Sequence, residues 1–169
     1  MTYLLEELAA EIKNVLKFHH INEVSAKVCK FVQKALMDEN FSQMYLKDRK
    51  EGESEREILF QDTELGFCIC GHVYNKEANG SPHDHGSSWA IYGQAEGETN
   101  MTEWKIAEKD LKNKTLYVKQ INNYLMKAGD VKFYDVGVIH SPSRKSPVKL
   151  LRIEGENLDN IQRSNIKVL

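Results

Sequence analysis

The distribution of glycine and proline constrains this fold more than any other feature of the sequence. All ten glycines lie at or beyond Gly52, and the three prolines begin at Pro82. The first 50 residues contain neither, and their apolar residues recur at spacings of three and four, which is typical of amphipathic helices. We predict two helices within residues 3–50, the second capped by Asn22, and the pattern allows a third from Phe41 to Leu46.

The remainder of the chain has the pattern of β-strands. From Ile58 onward, short runs rich in β-branched and aromatic residues alternate with turn residues, among them EILF, GFCICGHVY, SSWAIYGQAEG, TLYVKQIN and VKLLRIEG. Such runs at regular spacing favour a sandwich or a barrel. We predict a helical segment, residues 1–50, packed on a β-barrel, residues 51–169. Both belong to one domain, since 169 residues are too few for two well-filled ones.

The composition argues against charged macromolecular partners. The net charge is −2 at pH 7, which gives no general attraction to nucleic acid or to anionic membranes. No stretch approaches the ~20 apolar residues of a membrane span. The first residues, MTYLLEELAAEIK, are acidic and amphipathic, whereas a secretory signal is basic and then apolar. An odd number of cysteines, three, argues against a disulfide framework, and we expect a cytoplasmic protein.

Two histidines one residue apart, His83 and His85, suggest a metal site. Residues i and i+2 of a strand face the same side, so the two imidazoles lie close together if both are on one strand. His140 ends a later β-like run and is the candidate third ligand. Three neutral imidazoles leave coordination positions open, as a catalytic metal requires. The alternative is a pair of surface histidines to which His140 is unrelated.

The segments around these histidines resemble the two sequence motifs of the cupin family, whose fold is a double-stranded β-helix, or jelly-roll barrel. In the first motif, G-x5-H-x-H-x(3,4)-E-x6-G, the matching residues are His83, His85 and Gly97. In the second, G-x5-P-x-G-x2-H-x3-N, they are Gly129, Gly137 and His140. The resemblance implies an all-β cupin barrel behind the N-terminal helical segment.

Ala90 replaces the glutamate of the first motif. In this the chain is similar to thiol dioxygenases of the cysteine dioxygenase type, which hold ferrous iron with three histidines alone. The resemblance implies Fe(II) as cofactor, with a small thiol and O₂ as substrates. Arg56 precedes His83 by 27 residues, close to the position of the arginine with which those enzymes pair the substrate carboxylate. The alternative for Arg56 is a solvated surface arginine. Because imidazole suits several metals, Ni, Zn, Mn or Cu also fit the ligand set.

Other catalytic elements of that family have no counterpart here. Ala90 occupies the position of its cross-linked cysteine, Ile153 lies near that of the cross-linked tyrosine, and the Ser-His-Tyr relay of related bacterial enzymes is absent. Tyr92 should face the same side as Ala90, and we predict that it supplies the catalytic phenol. The alternative is a tyrosine packed in the barrel wall with its hydroxyl hydrogen-bonded. Trp89 is predicted to form part of an apolar wall beside the substrate.

Two further functions fit the same residues. One is a different three-histidine cupin oxygenase acting on a diketone or an enol, and the other is a metal-dependent binding cupin without turnover. A carboxylate clamp at Arg56 favours the thiol acid over the diketone. The expected partners are a small-molecule substrate and O₂, with no nucleic acid and no membrane, and the chain is expected to be a monomer or a homodimer.

Overall fold

Three helices open the fold. The computed structural model describes residues 2–169, and its helices are α1 (Leu5–Leu16), α2 (Ile21–Leu36) and α3 (Glu39–Tyr45). The third helix is therefore present. The N-cap of α2 is His20 rather than Asn22, because the Glu23 side chain accepts a hydrogen bond from the His20 backbone N–H at 3.0 Å. Within residues 2–169, no helix is both long enough and apolar enough to cross a membrane.

Ten strands follow the helices. They are β1 (Arg56–Gln61), β2 (Cys68–Tyr74), β3 (Ala78–Asn79), β4 (Ala90–Glu96), β5 (Thr99–Asp110), β6 (Thr115–Met126), β7 (Val131–Tyr134), β8 (Ile139–Arg144), β9 (Val148–Glu154) and β10 (Asn165–Val168). A single 3₁₀ turn, Leu158–Asn160, interrupts the path from β9 to β10 in the described chain. The division into residues 1–50 and 51–169 stays a prediction, although the last helix ends at Tyr45 and the first strand begins at Arg56.

The strands form two five-stranded sheets. The first has the order β1-β2-β9-β4-β7, and the second has the order β10-β6-β5-β8-β3. Neighbours pair antiparallel in both sheets except for β10, which runs parallel to β6. Residues from β4 and β7 of the first sheet share one buried cluster with residues from β5 and β6 of the second. The two sheets therefore face each other across a common interior.

Strand β4 shows how the first sheet separates two environments. Ile91 belongs to the cluster formed with the helices, whereas its neighbours Ala90 and Tyr92 belong to the cluster between the sheets. This alternation is the ordinary consequence of the two-residue period of a strand. The helices therefore cover the outer face of the first sheet, and its inner face is left for the site.

Helix α2 approaches β4 most closely at Gly93. A Cβ atom placed there would lie 2.7 Å from Val32 Cγ1 and 2.9 Å from Leu36 Cδ1, both on α2. Val32 is fully buried in this contact layer. Glycine is required at this position because the helix packs directly against the strand backbone.

The Gly93 contact gives a prediction about stability. Gly93→Ala should lower the free energy of unfolding by about 1–3 kcal/mol, because the added methyl group overpacks the contact between helix and sheet. Urea unfolding followed by circular dichroism measures the change. Val32→Ala in the same chain removes the nearest clashing atom, so the double variant should lose less stability than the two single losses combined. Strict additivity would contradict the proposed contact.

Candidate metal centre

Two backbone hydrogen bonds bring the first and third predicted ligands together. The His83 N–H donates to the His140 carbonyl and the His140 N–H donates to the His83 carbonyl, each at 3.0 Å. This mutual exchange is the hydrogen-bonded pair of an antiparallel ladder, in which the two side chains are neighbours. His140 lies on β8, so the pairing attaches the segment of His83 to the second sheet.

His83 and His85 lie before β4, not on it. Except for the isolated bridge at His83, the segment from Ser81 to Trp89 has no strand structure, so strand alternation does not explain the convergence of the two rings. The Asp84 carboxylate instead accepts hydrogen bonds from the Gly86 and Ser164 backbone N–H groups, at 3.2 and 3.1 Å. These contacts fold the segment into a loop and tie it to the chain that follows β9.

Gly86 permits that loop geometry for two reasons. Its φ is +59°, a conformation that glycine adopts readily and other residues rarely do. A Cβ atom there would also lie 2.4 Å from Ile161 Cγ2 and 2.7 Å from the Gln162 carbonyl oxygen. The histidine loop can therefore lie against residues 161–162 only because this position has no side chain.

The three histidine rings form one compact group. Ring centroids are 5.7 Å apart for His83 and His85, 4.7 Å for His83 and His140, and 4.8 Å for His85 and His140. One ring nitrogen from each lies within 4.8 Å of the other two. Small movements suffice to bring three nitrogens to the ~2.1 Å that imidazole keeps from a metal ion.

The protonation state of the group suits a metal site. Burial lowers the pKa of His85 to about 2 and that of His83 to about 4, and it holds the pKa of His140 well below its usual value. All three rings are therefore neutral at pH 7, and their lone pairs are available. The His83 Nδ1–H can donate to the Ser81 carbonyl at 2.8 Å, which leaves its Nε2 free as the ligand atom. The donor set fits a divalent ion of borderline softness.

Tyr92 reaches the same group, as its predicted role requires. Its hydroxyl lies 2.9 Å from His85 Nε2 and 3.1 Å from His140 Nε2, and its side chain is almost completely buried. One phenolic proton cannot satisfy both nitrogens, so without a metal one histidine must donate its own N–H to the phenol oxygen. Burial raises the pKa of Tyr92, and the phenol stays protonated at neutral pH. The catalytic role itself stays a prediction.

Arg56 lies near the site, but its guanidinium is already paired. It donates to Glu154 through Nε at 3.4 Å and Nη2 at 2.7 Å, to Asp159 at 2.7 Å and to Asn157 at 3.2 Å. Glu154 is completely buried. Burial opposes ionisation of this carboxyl, but His72, Arg56 and Arg152 together hold its pKa well below the usual range. The predicted contact between Arg56 and a substrate carboxylate would have to compete with these partners.

Trp89 lies on the other side of β4 from the histidines. It packs with the helix-side cluster, 6.5 Å from the Phe133 ring between centroids, and a Cβ atom placed at Gly155 would lie 2.5 Å from its indole nitrogen. The cavity that it borders lies beside the loop between α1 and α2 and contains none of the three predicted ligands. The structure therefore does not bring Trp89 together with the histidine group, and its role in substrate binding stays a prediction.

Sequence reasoning missed two buried arginines, Arg144 and Arg152. Together with His83, Arg56 and Arg163 they border a cavity of about 560 Å³, which we call the arginine pocket. The Arg152 guanidinium carbon lies 4.0 Å from the centre of the Tyr92 ring. The run VKLLRIEG held a signal, because Arg152 and Glu154 interrupt an apolar strand at alternate positions and therefore share one face.

Metal binding can be tested by removing one ligand. We expect His140→Ala to weaken the binding of Zn²⁺ or Fe²⁺ by more than about 100-fold, the upper range for loss of an outer-sphere partner alone. Competition with a chromophoric chelator measures the affinity. His19→Ala, which removes an exposed histidine outside the group, is the matched control and should bind as the unaltered chain does. Equal affinity of the two variants would contradict a site at His140.

Comparison with known proteins identifies the fold. An uncharacterised conserved protein from Klebsiella pneumoniae with a double-stranded β-helix domain is 12% identical, with 72% of this chain and 85% of that chain covered and a TM-score of 0.50. A cupin-2 domain protein from Shewanella frigidimarina is 15% identical over 72% of this chain and 96% of its own, with a TM-score of 0.44. A cupin superfamily protein from Desulfitobacterium hafniense is 16% identical over 63% and 81%, with a TM-score of 0.44.

At the level of sequence, no protein-family model matches the chain and no curated protein matches it. The likeness to the Klebsiella pneumoniae protein therefore shows the fold alone, and the activity has to be inferred from the site. Together with the two facing sheets and the helical N-terminal segment, it confirms the predicted fold class. The chain has a double-stranded β-helix fold.

Proposed function

We propose that the chain is a mononuclear Fe(II) enzyme of the thiol dioxygenase type, which converts a small thiol and O₂ into the corresponding sulfinic acid. The observation that carries this proposal is the convergence of His83, His85 and His140, a group that contains no carboxylate. Three neutral ligands leave the charge of a divalent ion unbalanced, which favours an anionic substrate donor such as a thiolate. The bound iron would supply the redox chemistry that activates O₂ next to the thiolate.

Burial of the histidine group supports the same reaction. His85 and His140 are almost completely buried, and the Tyr134 ring stacks on His140 with 4.1 Å between ring centroids. This packing restricts rotation of the His140 ring, so its ligand atom is held in one direction. It also excludes water from one side of the site, which limits side reactions of oxygen.

Tyr92 is the residue placed to handle a proton in this reaction. Its hydroxyl lies between two of the proposed ligands, so it is next to any substrate donor bound there. With a raised pKa the phenol is a hydrogen-bond donor at neutral pH, and it can stabilise negative charge on the substrate thiolate or on its oxygenated product. The Arg152 guanidinium over its ring favours transient negative charge on the phenol oxygen.

Oxygen uptake tests the proposed function directly. Protein loaded anaerobically with Fe(II) should consume O₂ with one or more members of a panel of small thiols, and His140→Ala should not. Acetylacetone belongs in the panel because uptake with the diketone alone would identify a different oxygenase. One bound iron per chain with no uptake for any compound would refute the proposal and favour a binding protein.

The role of Tyr92 has its own test. Tyr92→Phe should lower kcat by ~10²–10⁴-fold, the usual contribution of a positioned proton donor or acceptor. The bound iron per chain should not change, since the three histidines remain. Tyr117→Phe, at a partly exposed tyrosine on β6, is the matched control. An unchanged kcat in Tyr92→Phe would leave the tyrosine with only a packing role.

A further inference from the structure

The arginine pocket contains two arginines that the protein itself does not satisfy. Only 3% of Arg144 and 7% of Arg152 is exposed, and the Nε–H of each is buried without a hydrogen-bond partner among residues 2–169. The Arg144 guanidinium lies over the Tyr74 ring, 4.2 Å from its centre. Arg144 makes no ion pair with any of residues 2–169. Arg152, in contrast, forms an ion pair with Glu154, in which Nη1 lies 3.6 Å from Oε1.

Burying an unpaired cation is costly, and folded proteins rarely do it without a reason. Removing a guanidinium from water costs several kcal/mol unless hydrogen bonds and an opposite charge compensate. Tyr74 supplies Arg144 with a cation–π contact, which is weaker than a paired carboxylate. A ligand anion in the arginine pocket would provide the missing acceptor for both guanidinium groups.

Strand geometry directs both arginines into the interior that holds the histidines. Arg144 and His140 are four residues apart on β8, so their side chains leave the strand on the same face. Arg152 on β9 is the register partner of Tyr92 on β4. An anion held by the two arginines is therefore separated from the histidine group by little more than the Tyr92 side chain, and His83 borders the same pocket.

The charges around the pocket indicate how much negative charge it accepts. Three arginines, Arg56, Arg144 and Arg152, face two carboxylates, those of Glu154 and Asp159, so one positive charge is unbalanced. At the exposed rim, Glu55 and Arg163 carry opposite charges. One carboxylate neutralises the pocket, whereas a doubly charged phosphate would leave an excess of negative charge.

We propose that the arginine pocket binds the carboxylate of a small organic acid through Arg144 and Arg152, with the rest of the molecule extending toward His83, His85 and His140. That this acid is the substrate rests on the proposed function, whereas its binding does not. The guanidinium fork matches a carboxylate in bidentate geometry. Arg56 has a different task here, which is to hold Glu154 ionised beside Arg152.

Binding is measured best on metal-free protein, where turnover plays no part. The probe is propionate, and propionamide of the same shape without the charge is its control. In two-dimensional ¹⁵N spectra, propionate at millimolar concentrations should shift the Nε–Hε signals of Arg144 and Arg152, and it should raise Tm by a few degrees. Propionamide should produce neither change.

Two substitutions at Arg144 separate binding from folding. Arg144→Met should weaken propionate binding at least tenfold, while the Tm without propionate should not fall, because an unpaired buried charge has been removed. Arg144→Lys keeps the charge without the fork and should bind with intermediate affinity. The matched control is Lys145→Met, which removes one positive charge from the exposed neighbouring position and should bind propionate normally.

Several results would overturn the proposal. These are equal binding of propionate and propionamide, tighter binding of inorganic phosphate than of propionate, and unchanged propionate affinity in Arg144→Met. A fall in Tm of Arg144→Met with no change in binding would give Arg144 a structural role instead. Since no metal is present, these outcomes are independent of oxygen uptake. If propionate binds but no thiol is oxidised, carboxylate binding in the arginine pocket is supported and only the proposed thiol dioxygenase activity is refuted.

Discussion

The reciprocal hydrogen bonds between His83 and His140 are the contact on which the site depends. They join the segment before β4 to β8, and in this way they place two histidines from distant parts of the chain side by side. Backbone hydrogen bonds fix this distance without help from the imidazoles, so the rings are free to act as ligands. Tyr92 completes the group from the first sheet, since its hydroxyl lies within hydrogen-bonding distance of His85 and His140.

The sequence predicted the elements that obey simple periodicity. The helices followed from apolar spacing in a segment without glycine or proline, and the barrel followed from short strands between turn residues. The grouping of His83, His85 and His140 also agrees with the spacing of the two motifs. The path of the chain between His83 and Trp89 could not be predicted from the sequence, because the Asp84 side chain and the positive φ of Gly86 determine it. Neither is visible in a hydrophobic pattern.

Side-chain partners were the other part that sequence alone could not supply. Arg56 and Glu154 are 98 residues apart in the sequence. They meet because β1, β2 and β9 are consecutive strands of the first sheet. The side of the first sheet that Trp89 faces likewise depends on where β4 begins, since a register shift of one residue moves every side chain of a strand to the opposite face. Such facts depend on strand order, and local sequence carries little information about strand order.

The inner face of the first sheet combines charge with burial in an unusual way. Cys70, Arg152 and Tyr92 form one row across β2, β9 and β4. Glu154 lies beside this row and is ionised because cations surround it. A barrel interior lined with charged residues buries less apolar surface, so its hydrophobic stabilisation is smaller than that of an apolar interior. The loss is compatible with a stable fold because the helices bury a separate apolar layer on the outer face.

The contact of Gly86 with residues 161–162 has a consequence for biosynthesis. Those residues and Ser164, which donates to Asp84, come after all the strands of the first sheet in the chain. While the chain is still on the ribosome, the strands of the first sheet can pair before the segment that supports the histidine loop has emerged. The contacts that support the histidine loop can therefore form only after residue 164 has left the ribosome, so this loop reaches its final geometry later than the strands that flank it.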